Sequence, residues 1–222
     1  MSDKPNILWI CTDQQRWDTI HALGNSHIRT PNLDRLASEG MTFTDAHSPS
    51  AVCTPTRYGA LTGRYCWRSR LKRGVLNGYS APLLEPGRLT VAGMLRASGY
   101  HTSIVGKWHL GTRMVTTDGK TQGPDNVDYG KPLVSGPVQH GFKFSFILPG
   151  SLDMYPYVFA RNNVWQGEVT AQKGWSAFNR VGPAEKDFED HEVLETFYRE
   201  TEDFLSRQKK NKPFFLFLAL TS

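Results

Sequence analysis

The chain has 222 residues, of which 39% are hydrophobic and 21% charged. It can therefore bury a core of its own, and intrinsic disorder is excluded. The excess of basic over acidic residues, 26 against 21, gives a formal net charge of +5, which suits an anionic ligand without requiring nucleic acid. Three cysteines, Cys11, Cys53 and Cys66, are too few for a disulfide scaffold and leave at least one thiol unpaired.

Short apolar runs alternate with helical patterns along the chain, which is typical of an α/β fold with buried parallel strands. Residues 6–11 are predicted to form the first strand. A helix is expected to begin with Thr30 as its cap and Pro31 at its first position, and to end at Gly40. Residues 41–43 are then expected to be extended, which would complete a β-α-β unit.

A second unit of the same kind is predicted further along the chain. Its helix opens at Thr90, directs Val91, Met94 and Leu95 inward and ends at Gly99. A strand over residues 100–105 follows it.

Residues 111–185 mix glycine, proline and aromatic residues without clear periodicity, so we expect loops above a rigid sheet there. An amphipathic helix begins near Glu189, with its apolar face built around Val193, Phe197 and Phe204. A last buried strand is expected over residues 214–220. That run is strand-sized, so no segment that spans a membrane is predicted. The fold class expected from these patterns is α/β, with a mostly parallel central sheet and helices on both faces.

Asp13 and Gln14 come directly after the first predicted strand, at the carboxyl end of the sheet, where ligands bind in α/β folds. A carboxylate beside an amide carbonyl suits a hard cation such as Ca²⁺ or Mg²⁺. Taken alone, the two residues are better explained by a surface turn in which Asp13 caps the next segment, because aspartate is common in turns.

The segment Cys53-Thr-Pro-Thr-Arg57 is predicted to open a helix, with Thr54 as the cap, Pro55 at the first helical position and Gly63 as the stop. Free amides and the helix dipole at this end favour an anion and lower the pKa of a thiol. Arg57, in the first turn, can form a forked contact with an oxyanion. A structural cysteine before an ordinary capped helix is the alternative.

The sequence Cys-Thr-Pro-Thr-Arg over residues 53–57, followed by Leu-Thr-Gly-Arg over residues 61–64, resembles the signature of type I sulfatases, with Thr56 in place of the more common serine. The resemblance implies that Cys53 is oxidised to formylglycine, whose hydrated aldehyde is the nucleophile. It also implies that Asp13, Gln14 and the modified Cys53 bind a divalent metal, with Ca²⁺ expected and Mg²⁺ possible.

A third motif, Gly-Lys-Trp-His-Leu-Gly over residues 106–111, follows the strand predicted at residues 100–105 and also matches the family. The resemblance assigns Lys107 to sulfate and aldehyde hydrate, and His109 to hydrogen bonding with that hydrate. Together with Cys53 and Arg57, these residues are the expected catalytic set. The reaction implied is hydrolysis of a sulfate ester, on a sulfated carbohydrate or an aryl sulfate.

The resemblance also implies an alkaline phosphatase-like fold in which residues 1–222 are the N-terminal part of the catalytic domain, with the C-terminal remainder absent. A fragment of that extent is expected to be inactive by itself. The expected partners are a sulfated small molecule or glycan and a formylglycine-generating enzyme, with no nucleic acid and no membrane. No signal peptide is recognisable in the sequence, although related enzymes are commonly periplasmic or secreted.

Two other functions fit the same residues. Phosphonate monoester hydrolases and phosphodiesterases of this superfamily share the cysteine motif and the formylglycine. A protein without enzymatic activity that binds anionic glycans would use the same basic residues. The chemical state of residue 53, thiol or aldehyde, distinguishes this last alternative from an enzyme.

Overall fold

The computed structural model describes residues 4–175 and 180–221 of the chain. Short single helical turns connect some of the regular elements. The longer elements, in chain order, are β1 Ile7–Cys11, α1 Pro31–Glu39, α2 Cys53–Thr62, α3 Val91–Ala97, β2 His101–Lys107, β3 Phe144–Leu148, β4 Ala160–Arg161, β5 Val164–Trp165, β6 Val169–Lys173, β7 Gly182–Glu185, α4 Val193–Ser206 and β8 Phe214–Ala219.

Six of these strands form one sheet in the order β1-β8-β2-β3-β4-β5. The first four are parallel to one another, whereas β4 and β5 continue the sheet in antiparallel fashion. β8 pairs on both sides and is a continuous apolar run, as expected of a strand buried on both faces. The mostly parallel α/β sheet is therefore confirmed. Because β1, β8 and β2 run in the same direction, their carboxyl ends meet at one edge of the sheet.

Helices cover both faces of the sheet, as predicted. Tyr58 and Leu61 of α2 and Ala92 of α3 belong to one buried cluster, which also contains Ile104 and Phe217 of the sheet. The opposite face packs against α4, where the buried cluster includes Val193, Phe197, Phe204, Val105 and Leu216.

Several predicted helix boundaries agree with the structure, and α1 begins at Pro31 and is followed by Gly40 as expected. Thr90 caps α3, because its side chain accepts a hydrogen bond of 2.9 Å from the amide of Gly93. Gly63 ends α2 in the left-handed conformation. α4 begins after a single helical turn over Asp190–Glu192, a few residues later than Glu189. Among the described residues, no helix combines the length and the apolar character that crossing a membrane requires.

The expectation of an extended segment over residues 41–43 is wrong. These residues form no strand, and the side chains of Met41 and Phe43 are 78% and 74% exposed. A strand needs a hydrogen-bonded neighbour, and among the described residues β1 pairs only with β8. The first unit is therefore β1 and α1, with β8 as the parallel neighbour of β1.

Two further expectations need correction. Met94 is 48% exposed rather than inward, because the fully buried Ala92 occupies the position of α3 that faces the core. Residues 111–185, expected to be loops, contain β3 to β7. β4 and β5 have two residues each, and β6 and β7 form a separate antiparallel pair, so these strands are too short or too irregular to show periodicity in the sequence.

Candidate active site

Three segments that are distant in sequence meet at the carboxyl edge of the parallel sheet. Asp13 follows β1, Lys107 is the last residue of β2, and Cys53 is the first residue of α2. The carboxylate of Asp13, the ammonium of Lys107 and the thiol of Cys53 lie within contact distance of one another. The prediction that these motifs lie together is confirmed by this geometry.

The charged centre of the site is a buried cluster of one carboxylate and two cations. Lys107 Nζ donates to Asp13 Oδ2 at 2.6 Å, and Arg57 donates to the same oxygen at 3.2 Å. The three side chains are between 3% and 8% exposed. Burial disfavours the ionised form of Asp13, but the hydrogen bond and charge of Lys107 and the charge of Arg57 outweigh it and hold the pKa of Asp13 below its ordinary value.

Arg57 is fixed by backbone carbonyl groups as well as by Asp13. Its guanidinium donates to the carbonyl oxygen of Lys107 at 2.6 Å and to that of Leu220 at 3.2 Å. These contacts join α2 to the ends of β2 and β8. An arginine held on three sides keeps its charge at a defined place, as recognition of an oxyanion requires.

Cys53 lies half-buried at the start of α2, a ten-residue helix. Its Sγ is 3.3 Å from Lys107 Nζ and 3.9 Å from Asp13 Oδ1. This side chain therefore lies at the amino-terminal end of a helix, between the ammonium of Lys107 and the carboxylate of Asp13. Cys11 also lines the site, and burial raises the pKa of its thiol.

His109 is almost completely buried two residues beyond Lys107. Its Nε2 is 2.7 Å from the carbonyl oxygen of Leu76, which makes Nε2 the protonated nitrogen. Nδ1 is buried and has no hydrogen-bond partner among the described residues, so an acceptor is left over for a ligand. Burial lowers the pKa of His109 to about 4, and the ring is therefore neutral near pH 7.

Thr54 does not cap α2, contrary to expectation, because the helix begins at Cys53, two residues before the expected Pro55, and Val52 is its N-cap. The buried hydroxyl of Thr54 donates instead to the carbonyl oxygen of His109 at 3.0 Å and accepts from the amide of Leu76 at 3.2 Å. Thr54 thus links the cysteine motif to the histidine motif. This role had no signal in the sequence, since position 54 is a variable position of the Cys-x-Pro-x-Arg pattern.

Backbone geometry at the site is unusual in two places. Gln14 and His109 have φ values of 52° and 51°, in the left-handed region that residues other than glycine seldom adopt. Both follow strands of the sheet and both belong to the predicted set. Such conformations persist where the surrounding structure enforces them, often at functional sites.

A cavity of about 330 Å³ opens in front of these groups. Asp13, Gln14, Cys53 and Arg57 line it together with residues of the 48–52 loop. Asp13 and Gln14 offer oxygen atoms, the kind of ligand that a hard cation prefers. Asp13 Oδ1 has no cationic partner, and among the described residues its one hydrogen-bonding contact is the Cys53 thiol at 3.9 Å. The oxygens of Asp13 and Gln14 supply part of a coordination sphere, since Ca²⁺ takes roughly six to eight ligands.

A sequence profile described as Sulfatase matches residues 5–222. This chain belongs to the sulfatase family. It is 36% identical over 162 residues to an N-acetylgalactosamine-6-O-sulfatase from Bacteroides thetaiotaomicron, a match that covers 72% of this chain and 30% of the relative. It is 38% identical over 152 residues to arylsulfatase A from Bos taurus, which covers 68% of this chain and 27% of that protein.

The fold of this sulfatase-family chain also matches a solved structure. A Bacteroides thetaiotaomicron protein described in connection with the metabolism of multiple glycosaminoglycans superposes with a TM-score of 0.83 at 27% identity. The match covers 98% of this chain and 51% of that one. The chain thus spans about half of that solved structure, and its matches cover less than a third of the two curated relatives.

Proposed function

We propose that this chain carries the nucleophile and the sulfate-binding groups of a sulfate ester hydrolase. The observation that carries the proposal is the position of Cys53, which opens a helix with its Sγ 3.3 Å from the ammonium of Lys107 and beside Asp13 and Arg57. Membership of the sulfatase family supports the same reaction. The relatives named for N-acetylgalactosamine-6-O-sulfate and for aryl sulfates support a sulfated carbohydrate or aryl substrate.

The nucleophile proposed is formylglycine made from Cys53, as is general in the family. One hydroxyl of its hydrate loses a proton and attacks sulfur, so that a new S–O bond forms while the bond from sulfur to the ester oxygen breaks. The leaving oxygen takes a proton and departs as the alcohol. The second hydroxyl then loses its proton, a C=O bond forms, and the bond from carbon to the sulfate oxygen breaks to release sulfate and restore the aldehyde.

Arg57 and Lys107 neutralise the sulfuryl oxygens during both steps. Both cations are buried and held by hydrogen bonds to the protein before substrate arrives, so little reorganisation accompanies the reaction. His109, neutral because its pKa is lowered to about 4, presents Nδ1 as an acceptor for a hydroxyl of the hydrate. Unlike serine, the hydrate carries the second hydroxyl that expels sulfate.

Asp13, Gln14 and an oxygen on residue 53 are the groups proposed to hold a divalent cation, Ca²⁺ or Mg²⁺. Such an ion supplies Lewis acid chemistry at the sulfate oxygens when it is bound. A formylglycine-generating enzyme is the maturation partner proposed for Cys53.

Turnover of matched esters by the full-length protein tests the proposal. We expect release of 4-nitrophenol from 4-nitrophenyl sulfate, and a much lower kcat/KM for 4-nitrophenyl phosphate and for a phenyl phosphonate monoester. The Cys53→Ala variant is the control and should have no activity above background. Preference for a phosphorus ester, or unchanged activity in Cys53→Ala, would refute the assignment.

A further inference from the structure

A basic cavity of about 290 Å³ lies at the amino edge of the sheet, where the parallel strands begin. Three separate segments meet there, namely the start of β2, the residue before β3 and the loop that joins α4 to β8. The residues that line the cavity are His101, Lys143, Arg207, Gln208, Lys209 and Lys212. Four of these six residues are lysine or arginine, and none of the six is acidic.

The cavity is separate from the candidate active site. His101 and Lys107 are the first and last residues of β2, a strand of seven residues. At about 3.3 Å per residue, the two ends of this strand are roughly 20 Å apart. A small ligand in the cavity therefore cannot contact Cys53, and the cavity is a site of its own.

Little in the protein neutralises the positive charge around the cavity. Arg207 pairs with Asp203 of α4 at 2.6 Å. The ammonium groups of Lys143, Lys209 and Lys212 have neither an ion pair nor a hydrogen bond among the described residues. Like charges that face one cavity repel one another, and a bound anion removes that repulsion.

The carboxyl end of α4 explains only some of these cations. Basic side chains near the end of a helix complement its dipole, which accounts for Arg207 and Lys209. This effect falls off within the last turn, and α4 ends at Ser206, so it does not extend to Lys212. Nor does it account for Lys143, which belongs to a different segment and precedes β3.

One wall of the cavity is fixed by the protein itself. Gln208 donates to the carbonyl oxygen of Phe204 at 2.5 Å, and its side-chain oxygen accepts from His101 Nδ1 at 2.9 Å. The ring of His101 packs against Phe204 with the ring centres 5.3 Å apart. The amide of His101 donates to the carbonyl oxygen of Pro213 at 2.9 Å. The loop between α4 and β8 is thus joined to β2, and the cavity between them is preformed.

We propose that this cavity binds a tetrahedral oxyanion, phosphate or sulfate, either as the free ion or as an ester group on a larger molecule. The guanidinium of Arg207 suits a forked contact with two oxygens, and the lysines add point charges from two segments. The volume lies at the lower limit, about 300 Å³, of ordinary small-molecule sites, which suits one such group. The inference does not depend on the proposed function, because no residue that lines the cavity takes part in the proposed reaction.

Counting bound ions tests the proposal. Full-length Cys53→Ala protein, in which turnover is prevented, is dialysed to equilibrium against radiolabelled phosphate or sulfate at constant ionic strength. Lys143→Ala combined with Lys212→Ala should weaken binding in the cavity by about tenfold or more, the loss expected of hydrogen bonds to charged groups. The number of ions bound per chain should then fall by one for at least one of the two anions.

A charge-matched double variant is the control. Lys131→Ala combined with Lys210→Ala removes the same number of charges, also at exposed lysines, but neither residue lines the cavity. This variant should bind as many ions as the Cys53→Ala protein. Equal numbers of bound ions in the two double variants would overturn the proposal for both anions.

Competition identifies the form in which the oxyanion is bound. Glucose 6-phosphate and glucose 6-sulfate are added to the Cys53→Ala protein loaded with the labelled ion. Displacement of the ion that the cavity variant lacks would show that the cavity accepts an ester group. Retention of that ion would show that the cavity is selective for the free ion. Either result requires the cavity to be occupied.

Steady-state kinetics separate this cavity from the candidate active site. In protein with Cys53 intact, the Lys143→Ala and Lys212→Ala double variant should change kcat/KM for 4-nitrophenyl sulfate by less than about twofold, as expected for distant sites. The inhibition constant of phosphate against this substrate should be equally unaffected. A rise in that constant that matches the loss of bound phosphate would place the lost ion at the candidate active site and contradict the proposal. Absence of aryl sulfate turnover in the unmodified protein would instead refute the proposed function, and the count of bound ions would still decide the cavity.

Discussion

Lys107 and Asp13, 94 residues apart in the sequence, form a buried ion pair with 2.6 Å between Nζ and Oδ2. The pair joins the ends of β2 and β1, and the same ammonium lies 3.3 Å from the thiol of Cys53. Arg57 donates to the same carboxylate oxygen, so Asp13 keeps one cationic partner when Lys107 is removed. The ion pair therefore contributes to the stability of the sheet edge and places a positive charge beside Cys53.

Replacing Lys107 tests this double role. We expect Lys107→Ala to lower the free energy of unfolding by about 1.5–3 kcal/mol, the contribution of one hydrogen bond to a charged group, and to lower kcat/KM for an aryl sulfate by roughly 10²- to 10³-fold. Urea unfolding and steady-state kinetics measure the two effects. The control is Lys186→Ala, whose pair with Glu168 is exposed and 3.4 Å long, and which should change stability by about 1 kcal/mol or less. Similar results for the two variants would contradict the role of Lys107.

The lowered pKa of His109 predicts how the free energy of unfolding depends on pH. Its pKa is lowered to about 4 by burial from an ordinary value of 6.5, so between these values the unfolded chain binds a proton that the folded protein does not. Stability should therefore be complete above pH 6.5 and fall as the pH is lowered towards 4, by roughly 3 kcal/mol from this group.

His109→Gln isolates that contribution, since glutamine can still donate to Leu76 but does not titrate. Urea unfolding at several pH values should show a shallower slope between pH 4 and 6.5 for His109→Gln than for the unmodified protein. Identical slopes would mean that His109 is protonated normally in the folded state.

Gly106, the residue before Lys107, lies very close to the backbone of β8. It has φ of 121°, and a Cβ there would overlap the carbonyl oxygen of Ala219 on β8. Gly106→Ala should therefore separate β2 from β8 and lower the free energy of unfolding by roughly 3 kcal/mol or more. Gly119→Ala, at φ of 69° with open space around it, should cost only about 1–2 kcal/mol. Equal thermal midpoints for both variants would argue against the close approach.

Thr54 is fully buried and is bonded to the backbones of His109 and Leu76, so we expect it to position His109. Thr54→Val removes the donor to His109 and the acceptor for Leu76, at a cost of about 1–3 kcal/mol for each buried group left unpaired. We expect kcat to fall with little change in KM, and Thr54→Ser, which keeps the hydroxyl, to restore most of it. Failure of serine to restore kcat would indicate that the methyl group of Thr54, and not its hydroxyl, is what matters.

The sequence predicts the elements that carry strong local signals. The apolar runs of β1 and β8 and the caps at Thr90 and Gly63 depend on neighbouring residues alone, and all four agree with the structure. Residues 41–43 have the composition of a strand, but whether they form one depends on a partner distant in sequence. β4 and β5 are stabilised by pairing with β3 rather than by any pattern of their own.

In the candidate site, too, residues with a local sequence signal are predictable and contacts between distant segments are not. Cys53, Lys107 and Asp13 were predicted together because each follows a strand or opens a helix and each belongs to a motif. The bonds that Thr54 and Leu76 form with His109 were not predictable, since they depend on how two loops approach each other. Nor does the sequence indicate that Arg57 binds the carbonyl oxygens of Lys107 and Leu220.

The chemical state of residue 53 tests the central claim most directly. Full-length protein should be prepared at several degrees of maturation by varying the amount of formylglycine-generating enzyme present during expression. Mass spectrometry of the peptide that carries Cys53 then gives the fraction in which one sulfur and two hydrogens are replaced by one oxygen. We predict that sulfate ester turnover rises in proportion to this fraction and vanishes when it is zero. Full turnover by protein in which residue 53 is entirely a thiol would contradict the account.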